Sequence, residues 1–266
     1  MEFEIELTKS NRLMIARAFS SCKRVDYSID CAVEGTMGRV YGDDPASPTA
    51  FCIRTGPFAY FAGEPGSPGG LRLMQSLPAY TLMMPSTYGW LELAQEIFGE
   101  DLQSFPRYSF SAEALSAEHL ADLLAKSPVR ERVVPIDLET ARQAAGKPGG
   151  FFDISEFKSA EDFIERGLGY AFREGGSLLG AAYSSLVCSR GIEVSVYVVE
   201  EFRRQGFAAA LCCRLLLDCL AKGLRPNWDA ANPESVRLAR KLGFRFEGYY
   251  EAYYHSRGES SEARWG

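Results

Sequence analysis

Apolar residues along this chain recur every third or fourth position in some stretches and every second in others, and the alternation between the two outlines its elements. Residues 11–22 set Leu13, Ile15, Ala16 and Phe19 at partly helical spacing, and residues 89–98 form a second helical pattern. Strand-like runs cover residues 27–33, 49–55 and 58–61, with Gly/Pro-rich loops at residues 43–48 and 63–70. Residues 111–126 bring Leu115, Leu120, Leu123 and Leu124 to one helical face.

A short strand at Val133 runs into a helix, a loop follows at residues 147–150, and residues 159–166 are helical. Strands at 169–173 and 177–185 flank Gly175 and Gly176, a pair suited to a tight hairpin turn. A strand at 192–199 precedes a helix at 206–222. A strand at 226–230, a helix at 233–242 and a strand at 249–255 complete the order. This order reads as α/β throughout, divided into residues 1–128 and 129–266.

Composition narrows the class. The 266 residues are 46% hydrophobic and 24% charged, enough apolar material for a core without staples. A net charge of −6 and a pI of about 5.2 argue against phosphate-neutralising nucleic-acid binding. The acidic N-terminus has no apolar leader core, and no run of 18 apolar residues occurs, so a cytoplasmic chain with no membrane and no nucleic-acid partner is expected. Seven cysteines without a CxxC pair read as buried thiols in a reducing compartment. With only His119 and His255, no metal site is expected, and His255 is placed at the surface.

The densest chemistry lies at the end of the 192–199 strand. Arg203, Arg204, Gln205 and Gly206 form a turn, and an apolar helix starts at once with Phe207 and Ala208. A strand–turn–helix of this kind presents backbone N–H groups at the positive end of a helix dipole, a ready anion site. Downstream, Asn232 is a suitable N-cap, Pro233 suits the first helical position, and Gly243 follows the helix end.

The spacing Arg203-x-x-Gly206-x-Ala208 resembles the pyrophosphate-binding motif of the GNAT acetyltransferases. The segment from Asn232 and Ser235 to Lys241-Leu-Gly-Phe244 is similar to the one that follows that motif in the family. Residues 107–110, 157–163, 167–170 and 191–194 further resemble the zwittermicin A resistance-type group of GNAT acetyltransferases. The resemblance implies a GNAT fold, a mixed and largely antiparallel sheet flanked by helices, over residues 129–266. A smaller α/β domain precedes it, read as acceptor-selecting or as a degenerate copy of the same fold. It also implies acetyl-CoA as co-substrate, no metal, and a small-molecule amine as acceptor.

On that resemblance, Tyr197, Val198, Val199, Arg203, Arg204, Gln205, Gly206, Phe207, Ala208, Asn232 and Ser235 are the cofactor-contacting positions, with the oxyanion donor among the backbone amides of residues 197–199. Strand alternation sets Glu193, Ser195 and Tyr197 on one face, and Glu193 is the candidate general base. Glu193 precedes Arg203 by ten residues, where eleven is the family's usual spacing, so a structural glutamate stays open as the other reading. Ala239 stands where the family often has a tyrosine acid, which leaves Tyr254 as a candidate acid beside Tyr249, Tyr250 and Tyr253. Trp228 reads as core. Two rival functions remain: acylation of a protein lysine, and a non-catalytic CoA-binding or partner-binding module.

Overall fold

A computed structural model describes residues 2–145, 150 and 152–257; the expected loop at 147–150 and the end of the expected second domain lie largely outside them. In chain order the elements are β1 (Phe3–Glu4), α1 (Arg12–Ala18), α2 (Ser28–Glu34), β2 (Arg39–Gly42), β3 (Ala50–Thr55), β4 (Phe58–Gly63), α3 (Pro68–Gln75), β5 (Leu82–Pro85), α4 (Tyr88–Phe98), β6 (Leu102–Ser111), α5 (Ala117–Ala125), β7 (Val133–Pro135), α6 (Leu138–Ala145), α7 (Ala160–Arg166), β8 (Gly169–Glu174), β9 (Ser177–Cys188), β10 (Gly191–Val198), α8 (Phe207–Ala221), β11 (Arg225–Ala230), α9 (Pro233–Leu242) and β12 (Arg245–His255). The chain divides into two compact units, Met1–Pro106 with Tyr250–Gly266, and Arg107–Tyr249.

In the first unit β1, β2, β3 and β4 are joined antiparallel, and β4 pairs parallel with β5. Both sheet faces are buried, so β3 and β4 carry almost unbroken apolar runs. Alternation sends Phe51, Ile53, Phe58 and Tyr60 to a core with Ile15, Phe19 and Ile29. It sends Cys52, Ala59 and Phe61 to a second core with Leu73, Met74, Trp90 and Phe98.

Residues 27–33 correct the strand expectation, because they form helix α2. Both Asp26 carboxylate oxygens hold Ser28, one through its amide and one through its hydroxyl, and Gly35 ends the helix at φ 71°. The buried set Ser28, Ile29, Cys31 and Ala32 follows helical spacing, which so short a run does not reveal in the sequence. The expected loop at 63–70 likewise gives way to α3 from Pro68, capped by Ser67.

In the second unit β7, β8, β9 and β10 form an antiparallel meander. The Gly175–Gly176 turn, with both φ angles positive, makes the β8–β9 hairpin as expected. β10 pairs parallel with β11, and β11 pairs antiparallel with residues 108–110 of β6. The mixed, largely antiparallel sheet with flanking helices is the fold expected from the resemblance. Helix α8 buries Phe207, Leu211, Leu215, Leu216 and Cys219 in the core of this unit, together with Phe172, Ile192 and Trp228. Each such side chain contributes about 1.5–3 kcal/mol, which fixes the helix start relative to the sheet.

The division lies at Pro106/Arg107, not between 128 and 129. The reason is packing: Phe110 of β6 and Leu120 and Leu124 of α5 belong to the core around α8. A chain shortened to begin at Ser127 is therefore expected to lose its cooperative thermal transition, because it removes a core wall worth several kcal/mol. Calorimetry of that fragment beside one beginning before β6 checks this. A sharp, native-like transition in the shorter fragment would contradict the core assignment.

Candidate active site

The site is built from where β10 and β11 part. Their parallel register runs Gly191–Arg225, Ile192–Pro226 and Glu193–Asn227, and no later residue of β10 is in register with β11. β10 stays paired with β9 to Val198, while Trp228, Asp229 and Ala230 of β11 pair with β6. The two strands therefore diverge after Glu193, leaving a cleft beside residues 194–198.

Backbone direction follows from one bond. The Val199 amide donates to the Leu179 carbonyl at 2.9 Å. In an antiparallel ladder alternate residues make the cross-strand bonds, so Tyr197 points its N–H and C=O toward β9, as Val199 does. Val196 and Val198 point theirs away from β9, toward the cleft. The carbonyl of Val198 accepts from Arg203 Nε at 2.9 Å, and the Arg203 guanidinium lies over the Tyr197 ring at 5.4 Å.

Next comes the turn into α8. Arg204 holds φ 61° and Gly206 φ 93°. Two left-handed residues within three positions fold successive amides into a concave nest that favours anions. For Arg204 this costs about 1–2 kcal/mol, a strain residues of this kind carry at ligand clamps. Helix α8 has no side-chain cap and no acidic residue in its first turn, so its leading N–H groups meet no built-in anion. Gln205 fastens the turn by donating from Nε2 to the Glu201 carbonyl at 2.8 Å. Phe207 is buried, stacked on Phe172 at 3.8 Å, which anchors the turn from below, and Ala208 is half-buried.

Asn232 and Ser235 sit at the start of α9. Asn232 Oδ1 accepts from the Ser235 amide at 2.8 Å, so the expected N-cap is in place. Ser235 Oγ accepts from the indole N–H of Trp228 at 3.1 Å; Trp228 is core, as read from the sequence. Ala239 is fully buried.

The extra residue that shifts the strand register is Ser185 of β9, since Glu193 opposes Leu186 and Val194 opposes Ser184. Alternation along β10 is thus unbroken, and Glu193, Ser195 and Tyr197 share a face. On β11, Pro226, Trp228 and Ala230 are buried, so Asn227 and Asp229 take the opposite face, the one shared with Glu193. Asn227 Nδ2 donates to Glu193 Oε2 at 2.8 Å. Asp229 pairs with Arg107 of β6 at 2.6 Å, both largely buried. Tyr183 of β9, opposite Ser195, accepts from the Asp153 amide, and burial pushes its hydroxyl up to about 12.

Asn227, Asp229 and Arg107 were missed as site residues in the sequence. The alternation of Asn and Asp with Trp and Ala in residues 227–230 carried the signal for the first two.

Tyr254 belongs to the first unit. Its hydroxyl donates to Gln103 Oε1 at 2.9 Å and its ring stacks on Tyr80. His255 corrects the surface expectation: it is 4% exposed, stacked on Phe98 and bonded through Nε2 to the Leu77 carbonyl. Among the described residues no group of three or more His, Cys, Asp or Glu is placed to hold a metal, and no helix is long and apolar enough to cross a membrane.

A family model described as GNAT acetyltransferase matches residues 22–253. The chain is 28% identical over 263 residues to the uncharacterized N-acetyltransferase YdfB of Bacillus subtilis (strain 168), covering 94% of this chain and 97% of that one. A GCN5-related N-acetyltransferase-like protein from Streptococcus suis 89/1591 shares its structure with a TM-score of 0.80 at 28% identity, over 92% of this chain and 98% of that one. A GCN5-related N-acetyltransferase from Sphaerobacter thermophilus has the same fold, with a TM-score of 0.52 at 15% identity and 97% of each chain covered.

The φ of Gly206 gives a stability prediction. A Cβ there has space, the nearest atom being Val129 Cγ2 at 4.0 Å, so the cost is conformational. Gly206→Ala is expected to lower the unfolding free energy by about 1–2 kcal/mol in urea titration. An unchanged midpoint would show that the turn does not need glycine.

Proposed function

Because the chain belongs to the GNAT acetyltransferase family, we propose that it moves an acetyl group from acetyl-CoA to a primary amine of a small molecule. The observation that carries this reading is the parting of β10 from β11 beside the uncapped start of α8. The pyrophosphate of CoA is placed on the amides of residues 204–208, with Arg203 and Arg204 adding charge. Asn232 and Ser235 flank the pantetheine arm. That extended, amide-bearing arm continues the ladder on the cleft side of β10, where Val196 offers its backbone groups.

The Val198 amide, pointing to the cleft, is the oxyanion donor of the three considered; Val199 already serves Leu179. Glu193 is the general base. A free carboxyl titrates near 4.3 and an alkyl ammonium near 10.4, so direct proton transfer is uphill by roughly 8 kcal/mol. A water relay, or an amine made less basic by the cleft, closes that gap. The amine nitrogen attacks the thioester carbon, its proton passes to Glu193 directly or through water, the C–S bond breaks, and the CoA thiolate takes a proton from solvent.

Within the family we place the chain with the zwittermicin A resistance-type group, on residues 107–110, 157–163, 167–170 and 191–194. That placement favours a small amine over a protein lysine. The first unit is assigned to acceptor selection.

Two measurements test this. Calorimetry is expected to show CoA binding by the wild type and at least about a tenfold loss in Gly206→Val, whose side chain opposes the approach of the pyrophosphate. Equal affinity in a folded variant would remove the loop from the site. A thiol-release assay with acetyl-CoA and a panel of small amines is expected to show turnover, reduced about a hundredfold or more at neutral pH by Glu193→Gln. Binding without release on any amine would favour the non-catalytic reading, and release on a lysine peptide alone would favour the protein substrate.

A further inference from the structure

The turn into α8 has a wall outside the Arg203–Ala208 segment. A Cβ on Gly206 would meet Val129 Cγ2 at 4.0 Å, and the Arg132 amide donates to the Val129 carbonyl at 3.0 Å. Residues 129–132, which lead into β7, therefore run beside the anion nest. Val129 and Val133 are buried in the core that holds Phe172 and Phe207, so the segment is anchored at both ends. Between them the Arg132 guanidinium lies over two rings, 4.7 Å from the centre of Phe172 and 5.1 Å from that of Phe207, the first residue of α8. We propose that Arg132 binds the 3′-phosphate of CoA and makes the site select CoA over its 3′-dephospho form. This rests on the CoA reading above.

The ligand dictates where such a cation must stand. CoA carries its pyrophosphate on the 5′-oxygen of the ribose and a phosphomonoester on the 3′-oxygen, so the two anions are one sugar ring apart. With the pyrophosphate on the amides of residues 204–208, the group that meets the second anion must lie within a side chain's length of the helix start. Arg132, over the ring of the first helical residue, does so. The neighbouring cations have other engagements. Arg203 Nε donates to the Val198 carbonyl, Arg130 donates to the Ala125 carbonyl and to Glu131, and Lys126 pairs with Asp122. Arg132 is itself paired with Glu174 at 2.8 Å, but both side chains are about half exposed, and a pair of that kind contributes little. A phosphomonoester brings about two negative charges and three acceptor oxygens, which the guanidinium fork meets bidentately. Stacking on Phe172 and Phe207 already restricts the side chain, so less freedom is lost when the phosphate displaces Glu174.

The test is calorimetric titration of the full-length protein with CoA and with 3′-dephospho-CoA at one ionic strength. The wild type is expected to bind CoA about tenfold more tightly than the dephospho form. Arg132→Gln is expected to weaken CoA binding about tenfold and to leave dephospho-CoA binding unchanged. Arg132→Lys, which keeps the charge without the fork, falls between the two. Glu174→Gln, which releases the guanidinium, widens the preference for CoA. Equal affinity of the wild type for the two ligands overturns the assignment without recourse to any variant. So does a preference for CoA that survives in folded Arg132→Gln, or an equal loss of both ligands in it. In each of those cases the CoA reading stands. A wild type that binds neither ligand removes the CoA reading itself.

Discussion

The β10–β11 ladder ends at Glu193 and Asn227, and the site depends on that interruption. Continued pairing would satisfy the backbone groups of Val196 and Val198 within the protein and leave no place for an extended ligand. The strands are kept apart because each has another partner: β10 stays on β9, and β11 turns to β6, where the Arg107–Asp229 pair ties the two strands. Breaking a buried ion pair of this kind costs about 3–5 kcal/mol. The wedge is completed by α8, whose apolar side chains hold its start at the open end of the cleft.

Each unit contains a strand, a helix and a parallel strand: β4, α3 and β5 in the first, β10, α8 and β11 in the second. Their helix starts differ in a way that bears on binding. At α3, Ser67 accepts the Gly70 amide, and Pro68 has no N–H to offer. A Cβ on Gly70 would meet the carbonyl oxygens of Glu64 and Pro65 at 2.6 Å, so the turn is filled by its own backbone. At α8 the cap is a left-handed glycine, the first turn has no carboxylate, and two arginines precede it. The first arrangement satisfies itself; the second leaves donors for an anion. This contrast agrees with a degenerate reading of the first unit, which we hold as a proposal.

Much of the second unit was legible in the sequence because local signals and packing agree there. The Gly175–Gly176 hairpin, the caps at Asn232 and Gly243, and the apolar spacing of α8 each have one physical solution. The reading failed where tertiary context decides. Residues 27–33 are too short a run for periodicity to separate strand from helix, and the Asp26 bonds to Ser28 and the left-handed Gly35 frame them as a helix. Strand β6 is polar along much of its length, and its place beside β11 rests on contacts remote in sequence. For the site, the spacing from Arg203 to Ala208 exposed the turn, but not the left-handed Arg204 or the direction of the Val198 amide. Asn227 escaped because its partner lies 34 residues away. Nor could a ten-residue spacing show that the extra residue sits in β9 at Ser185.

The central claim is that CoA lies along the cleft side of β10 with its pyrophosphate at the start of α8. Amide 1H–15N spectra recorded during a CoA titration address it most directly. The account predicts the largest shifts at the amides of residues 204–208, with Val196 and Val198 moving and Ser195 and Tyr197, bonded to β9, moving less. Saturable binding that leaves residues 204–208 unshifted, with perturbations clustered elsewhere, would contradict it.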